Sequence, residues 1–392
     1  MFDTSVKYLH SAMTDAPVLS GTAGSLLAAL DACLINGIGL RTATSLVVVD
    51  GIATIAVATN HSAEIGTVIE VAGATPTTLN GQQRVTGITT NAISFATTVA
   101  NTTALGTITV KNAALAWRKT FSDGNLAAYQ PQDVTATNCL LRVDDSGTMT
   151  ARVAGFESMS DINNGTGKFP NTAQKTGGLN WVKSTTADAV ARSWMVFGDS
   201  KCVYVCIAAS YANTNNYAIY LFGDFTSYKS GDAYGCAIAG AFDDQVWTGS
   251  PASGCMGYSV GMTSNGVYVP RSHTAIGGSQ PVLRIGASAI SGNYNAVNAS
   301  GTSGYAFGSF PNGADNGLML CKVLLFVAGA FRGETVGIWH AMQDVGNAFM
   351  PKDQVAGTGA MRDKKIIAVR LGGVASATSG TVFFDVTGPW RS

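Results

Sequence analysis

Gly257-Tyr258-Ser259-Val260-Gly261 has the spelling of a nucleophile elbow, in which a serine on a tight strand-to-helix turn attacks an acyl carbon. The stretch after it, Met262 to Pro270, contains Asn265-Gly266 and β-branched residues and ends in proline, so it reads as a Gly-rich hairpin rather than the required helix. Asn164-Gly165-Thr166-Gly167-Lys168 echoes the end of a phosphate-binding loop. Ile162 stands where that loop's first glycine belongs and Phe169 where its Ser or Thr belongs, so no nucleotide site is expected. Gly357-Thr358-Gly359 has no third glycine and reads as a turn.

Two aspartate doublets, Asp144-Asp145 and Asp243-Asp244, supply the residue type that glycoside hydrolysis uses in facing pairs. Neighbours in a strand point to opposite faces, so neither doublet makes such a pair alone, and both read as turn-initiating residues. His10, His61, His273 and His340 are far apart and begin no metal-ligand spacing. The seven cysteines, at 33, 139, 202, 206, 236, 255 and 321, form no C-x-x-C pair and read as buried apolar thiols of a chain folded in a reducing compartment. Cys202 and Cys206, four apart in an extended run, fall on one face of a strand but too far apart for an easy disulfide. Trp194, Tyr204, Tyr211, Tyr217, Tyr220, Tyr228, Tyr234, Trp247, Tyr258 and Tyr268 could stack on sugar faces, although a sandwich of this size uses most such rings as core. No catalytic, cofactor-binding or metal-ligating residue is assigned, and no cofactor is expected.

The elements that must carry these residues are almost all strands. Runs at 203–207, 217–222, 318–327, 366–369 and 382–386 are β-branched, aromatic and bounded by Gly, Asn, Asp and Ser. Asn-Gly pairs at 80–81, 164–165, 265–266 and 312–313 mark turns, and 285–305 reads as a long Gly/Ser/Asn-rich surface loop. One helix is expected, with Leu26, Leu27, Leu30, Cys33 and Leu34 at helical spacing, Ser25 as N-cap and Asn36-Gly37 as the stop. Residues 45–110 are nearly free of aromatics and rich in Thr, Ala, Val and Gly, like a compact barrel. Residues 1–44 and 111–392 hold all six tryptophans. The expected fold is therefore mainly β: a jelly-roll-like β-sandwich of 111–392 completed by an N-terminal segment 1–44 with one short helix, and interrupted by a small barrel at 45–110.

Composition narrows the function further. Charged residues are only 12% of the chain, against about 25% in typical domains. Lys+Arg and Asp+Glu both number 24, so no net field gathers nucleic acid or anionic lipid. Asp3 and Lys7 precede any apolar run and the stretch 323–331 is too short to span a bilayer, so neither a secretory signal nor membrane insertion is expected. A large, weakly charged surface suits a chain that is packed against copies of itself.

Several stretches together resemble a family of structural proteins encoded by tailed bacteriophages and prophages. They are 7–13 (KYLHSAM), 16–26 (APVLSGTAGSL), 30–34 (LDACL), 141–145 (LRVDD), 151–161 (ARVAGFESMSD), 222–225 (FGDF) and 385–391 (DVTGPWR), and the likeness spans nearly the whole chain. The inner unit, through His61, Gly66, Val68, Ile69, Val71, Gly73-Ala74, Pro76, Asn80-Gly81, Val85-Thr86 and Ile93-Ser94-Phe95, resembles a small β-barrel module common in phage virion proteins. It departs from that module at Ala63-Glu64-Ile65, where a leucine-containing turn is usual. The resemblance implies a non-enzymatic virion component assembled in the host bacterial cytoplasm. It would form a homo-oligomer, a trimer or hexamer, and dock through other virion proteins on the tail, baseplate or neck. The alternatives are a capsid decoration or head-fibre protein and a host glycan-binding or depolymerase protein.

Overall fold

The computed structural model describes residues 3–242, 256, 266–285, 310–343, 345, 348–371 and 380–391. The chain is mainly β, and the expected sandwich is present as two sandwiches that share a middle sheet. That sheet orders its strands Lys7–His10, Ser193–Gly198, Cys202–Ala208, Ala218–Asp224, Cys236–Ala239, Val267–Val269 and Gln280–Pro281. Within Cys202–Ala208, Val203, Val205 and Ile207 enter one core, while Cys202, Tyr204 and Cys206 enter the other. Both faces are dry, which is why the run is apolar at every position rather than at alternate ones.

On one side lies a five-stranded sheet, Leu179–Val182, Thr150–Phe156, Leu140–Asp144, Leu126–Pro131 and Trp117–Asp123 in spatial order. Trp181 of this sheet stacks on Tyr220 of the middle sheet, with ring centroids 5.5 Å apart. On the other side lies the C-terminal sheet, built from Leu283–Ile285, Leu320–Val327, Ala330–Ala341, Gly380–Asp385, Lys365–Leu371 and Gln354–Ala356. There Phe384 stacks on Phe197 at 4.1 Å. The five buried cysteines 33, 139, 202, 206 and 236 are free thiols and Cys321 is half-buried; Cys255 lies outside the described residues.

The helix Ser25–Asp31 continues as a wider turn over Ala32–Asn36 and stops at Gly37, whose φ of 80° is the left-handed conformation glycine adopts without strain. Leu26, Leu30 and Leu34 are buried in the first core, so the helix caps its own domain. Its cap differs from the expected one. Ser25 Oγ donates to the carbonyls of Ser20 and Thr22, and the free amides of Leu26 and Leu27 donate instead to Asp145 Oδ2 at 2.8 and 3.2 Å. Asp145 is thus the buried half of one aspartate doublet, and Lys183, also fully buried, donates to its other oxygen and to Thr22 O. Burial pushes the Asp145 carboxyl up and the Lys183 ammonium down, while their mutual contact opposes both shifts.

The inner unit is a closed six-stranded barrel. Ile52–Val57, Ala92–Ala96, Gly81–Thr89, Val68–Ala72, Thr109–Asn112 and Ile38–Val49 pair in that order, and the last pairs back to the first. Closure leaves no free sheet edge among these strands. The long strand Ile38–Val49 serves both seams by shifting register between Ile38 and Arg41 and between Ala43 and Ser45. Leu46, Val48, Ile55, Val71, Val85, Ile93 and Phe95 fill the interior.

Candidate interaction surfaces

Residues singled out for chemistry are dispersed by the fold. Asp144 accepts from the Ser146 amide at a turn, on the opposite side of its strand from Asp145. Asn164-Gly165 closes a short hairpin in which Gly167 packs on the Glu157 side chain, and Glu157 is held by both ends of the Arg271 guanidinium. His61 Nε2 faces the carbonyls of Thr89 and Ala92 inside the barrel unit. His340 is 1% exposed, and burial, with Arg284 adding to it, lowers its pKa to about 3, so it is neutral. Among the described residues no three His, Cys, Asp or Glu side chains gather as a metal site, and no helix is long and apolar enough to cross a membrane. Gly257 to Gly261, Asp243-Asp244, Trp247, Tyr258, Asn265 and 286–305 lie outside the described residues.

Two surfaces stand out. The first is the barrel wall and the seam that fixes it to the body. The barrel stretch 38–112 contains six charged residues, Arg41, Asp50, Glu64, Glu70, Arg84 and Lys111. Each is engaged. Arg41 pairs with Asp15 at 2.6 Å and Lys111 with Glu70 at 3.2 Å. Asn101 donates to Asp50. Glu64 Oε1 lies 2.9 Å from His10 Nε2, and His10 Nδ1 accepts from the Ala12 amide. Arg84 donates to the carbonyls of Asp3, Gly66, Val386 and Thr387, joining the barrel to both chain termini. Asn112 Nδ2 adds donors to Ser62 O and Oγ. Outside the seam the wall carries Thr, Ala and Gly with Leu40, Val49, Ile52, Ile88 and Leu105 exposed, Leu105 to 70%.

The second surface is a polar cleft of about 460 Å³ between the loop at Thr135–Thr137 and the turn at Ser227–Gly235. Asp224 lies in it, and Thr137 donates to it through both its amide and its hydroxyl. Burial nonetheless raises the Asp224 carboxyl. Asp232 is held by Arg332 and Ser227, and Arg391 by Asp199 and the carbonyl of Asp224. Tyr228, 79% exposed and 5.3 Å from Phe331, flanks the cleft. Trp194, Tyr204, Tyr217, Tyr220 and Tyr268 are core, so of the sugar-stacking candidates the described surface retains Tyr211, Tyr228 and the half-buried Tyr234, which packs on Arg271.

Neither set of contacts could be read from sequence. The partners of Arg84 lie up to 303 residues away, and its only sequence signal is that it is one of few cations in a neutral stretch. Comparison with protein-family models and with curated proteins finds no match for the chain.

Proposed function

We propose that the chain is a non-enzymatic structural component of a tailed-phage virion, which oligomerises and docks on the tail, baseplate or neck. The observation that supports this best is the barrel wall, where charged side chains are few and exposed leucine, isoleucine and valine stand among small neutral residues. Burying an unpaired charge in an interface carries a heavy desolvation penalty, and a wall with few charges keeps that penalty small. Symmetric assemblies repeat one interface many times, so a wall of this kind is gainful in proportion to copy number. The barrel has no free edge, so contact is through side chains rather than strand addition. Arg84 and Glu64 hold the barrel against the body, as a spacer that transmits position would need.

Quantitative mass spectrometry of gradient-banded particles tests this by counting the chain against the major capsid and tail-tube proteins. A few copies, in threes or sixes, are expected. Hundreds of copies move it to capsid decoration or a head fibre, and absence from particles sinks the structural role. The polar cleft beside Tyr228 favours one second reading, a host glycan binder. Tyr228→Ala would then abolish retention on immobilised host polysaccharide, whereas no retention of the unaltered protein removes that reading.

A further inference from the structure

Among the described ion pairs, Asp145 with Lys183 is the one in which both side chains are wholly buried. Asp145 follows the strand Leu140–Asp144 and Lys183 follows Leu179–Val182, and these two strands flank Thr150–Phe156 in the five-stranded sheet. Each pairs antiparallel with the strand between them, so they run in the same direction and finish at the same end of the sheet. That brings a lysine and a carboxylate 38 residues apart in sequence into direct contact.

An ion pair is a poor occupant of such a place. Attraction repays the cost of stripping two charges of water only where their remaining donors and acceptors are also satisfied. An ammonium has three N–H donors, and among the described residues Lys183 Nζ has two acceptors, Asp145 Oδ1 and Thr22 O. Buried donors in native proteins almost always have a partner. The carboxylate is better served, since its Oδ2 accepts from the amides of Leu26 and Leu27 at 2.8 and 3.2 Å. Burial pushes the carboxyl towards its acid form and the lysine towards its free amine, which are the forms that condense with each other.

We propose that Lys183 and Asp145 become joined by an amide bond that the folded chain makes by itself. A proton passes from the ammonium to Oδ1, and the lone pair this frees on Nζ attacks Cγ. Negative charge then develops on Oδ2, where the amides of Leu26 and Leu27 already donate. The bond from Cγ to Oδ1 breaks, and Oδ1 takes a second proton from Nζ and leaves as water. No oxidant, reductant or further reactant is needed, and the fold holds the two groups together beforehand. In the product Oδ2 is a carbonyl that keeps both amide donors, and the one N–H left on Nζ keeps Thr22 O. Every polar atom of the link then has a partner, and neither charge remains in the core.

Intact-mass spectrometry of the full chain in denaturant tests this, because denaturant separates an ion pair but not an amide. The mass is expected to fall one water below that of the sequence, and Lys183→Met should show no such deficit. Trypsin should leave Lys183 uncut and release 143–152 joined to 176–192 as one branched peptide. A water lost instead by ring closure at Asp145-Ser146 would leave those two peptides separate. Full sequence mass after prolonged incubation of the folded protein, a deficit that persists in Lys183→Met, or separate peptides would each overturn the proposal. The unaltered protein decides the matter alone, so a variant that fails to fold does not shield it. None of these results bears on particle copy number, so the link and the structural role fail separately.

Discussion

Lys7 is a cation placed where a cation is unwelcome. It is 5% exposed, and its ammonium donates to Ser5 O at 3.2 Å. Burial lowers its pKa from the ordinary 10.5 to about 8; Asp199, Asp3 and Glu70 resist the change and Arg84 adds to it. The unfolded chain keeps its proton up to 10.5 while the folded chain releases it near 8, so between those values the unfolded state binds more protons and stability rises with pH. Below pH 8 the fold carries the full penalty of a buried ammonium, about 3 kcal/mol at most. Lys7→Met should therefore raise the melting temperature at pH 7 and flatten the rise between pH 8 and 10. Parallel melting curves for the two proteins across that window would show that Lys7 is not the group responsible.

Elements are joined in this molecule by a few polar side chains spanning long stretches of sequence, with Arg84 the chief of them. Arg84→Met keeps the length of the side chain but leaves the carbonyls of Asp3, Gly66, Val386 and Thr387 without their donor. Loss of hydrogen bonds to a charged group costs about 1.5–3 kcal/mol, localised at the seam. Amide exchange should then quicken at 3–8 and 385–388 while the barrel strands stay protected; uniform exchange across the chain would mean that the seam and the barrel unfold together. The same contrast of local and distant contacts explains what was legible in the sequence. The runs at 203–207, 366–369 and 382–386 stood out because their strands are buried on both faces and are apolar at nearly every position, Asp385 excepted. The barrel was legible because all of its pairings close within one stretch, 38–112, of distinct composition. That the sandwich has three layers was not, because each strand of the middle sheet serves two cores and period-2 patterning vanishes there. The cap of the helix was not either, since Asp145 acts across 119 residues and Ser25 has the residue type that would do the same job locally.

At the scale of the whole molecule, 24 positive and 24 negative side chains leave no long-range repulsion between copies. Association is then decided by what the surfaces gain on contact. On the proposed assembly face, the barrel wall, that gain would come from apolar side chains such as Leu40 and Leu105, which are 63% and 70% exposed and lie outside the barrel's own core. Replacing both with lysine tests the wall directly. Substitutions at such exposed positions change stability by no more than about 0.5 kcal/mol, so the melting curve of Leu40→Lys/Leu105→Lys should overlay that of the parent. Each copy would nevertheless bring two unpaired cations into a repeated contact, and cations brought together there repel one another. Incorporation into particles, read by the same mass-spectrometric count, should fall at least tenfold. Incorporation at the parental level with an unchanged melting curve would exclude the barrel wall as the assembly face and shift attention to the outer face of the C-terminal sheet, where Phe326, Phe331 and Tyr228 cluster.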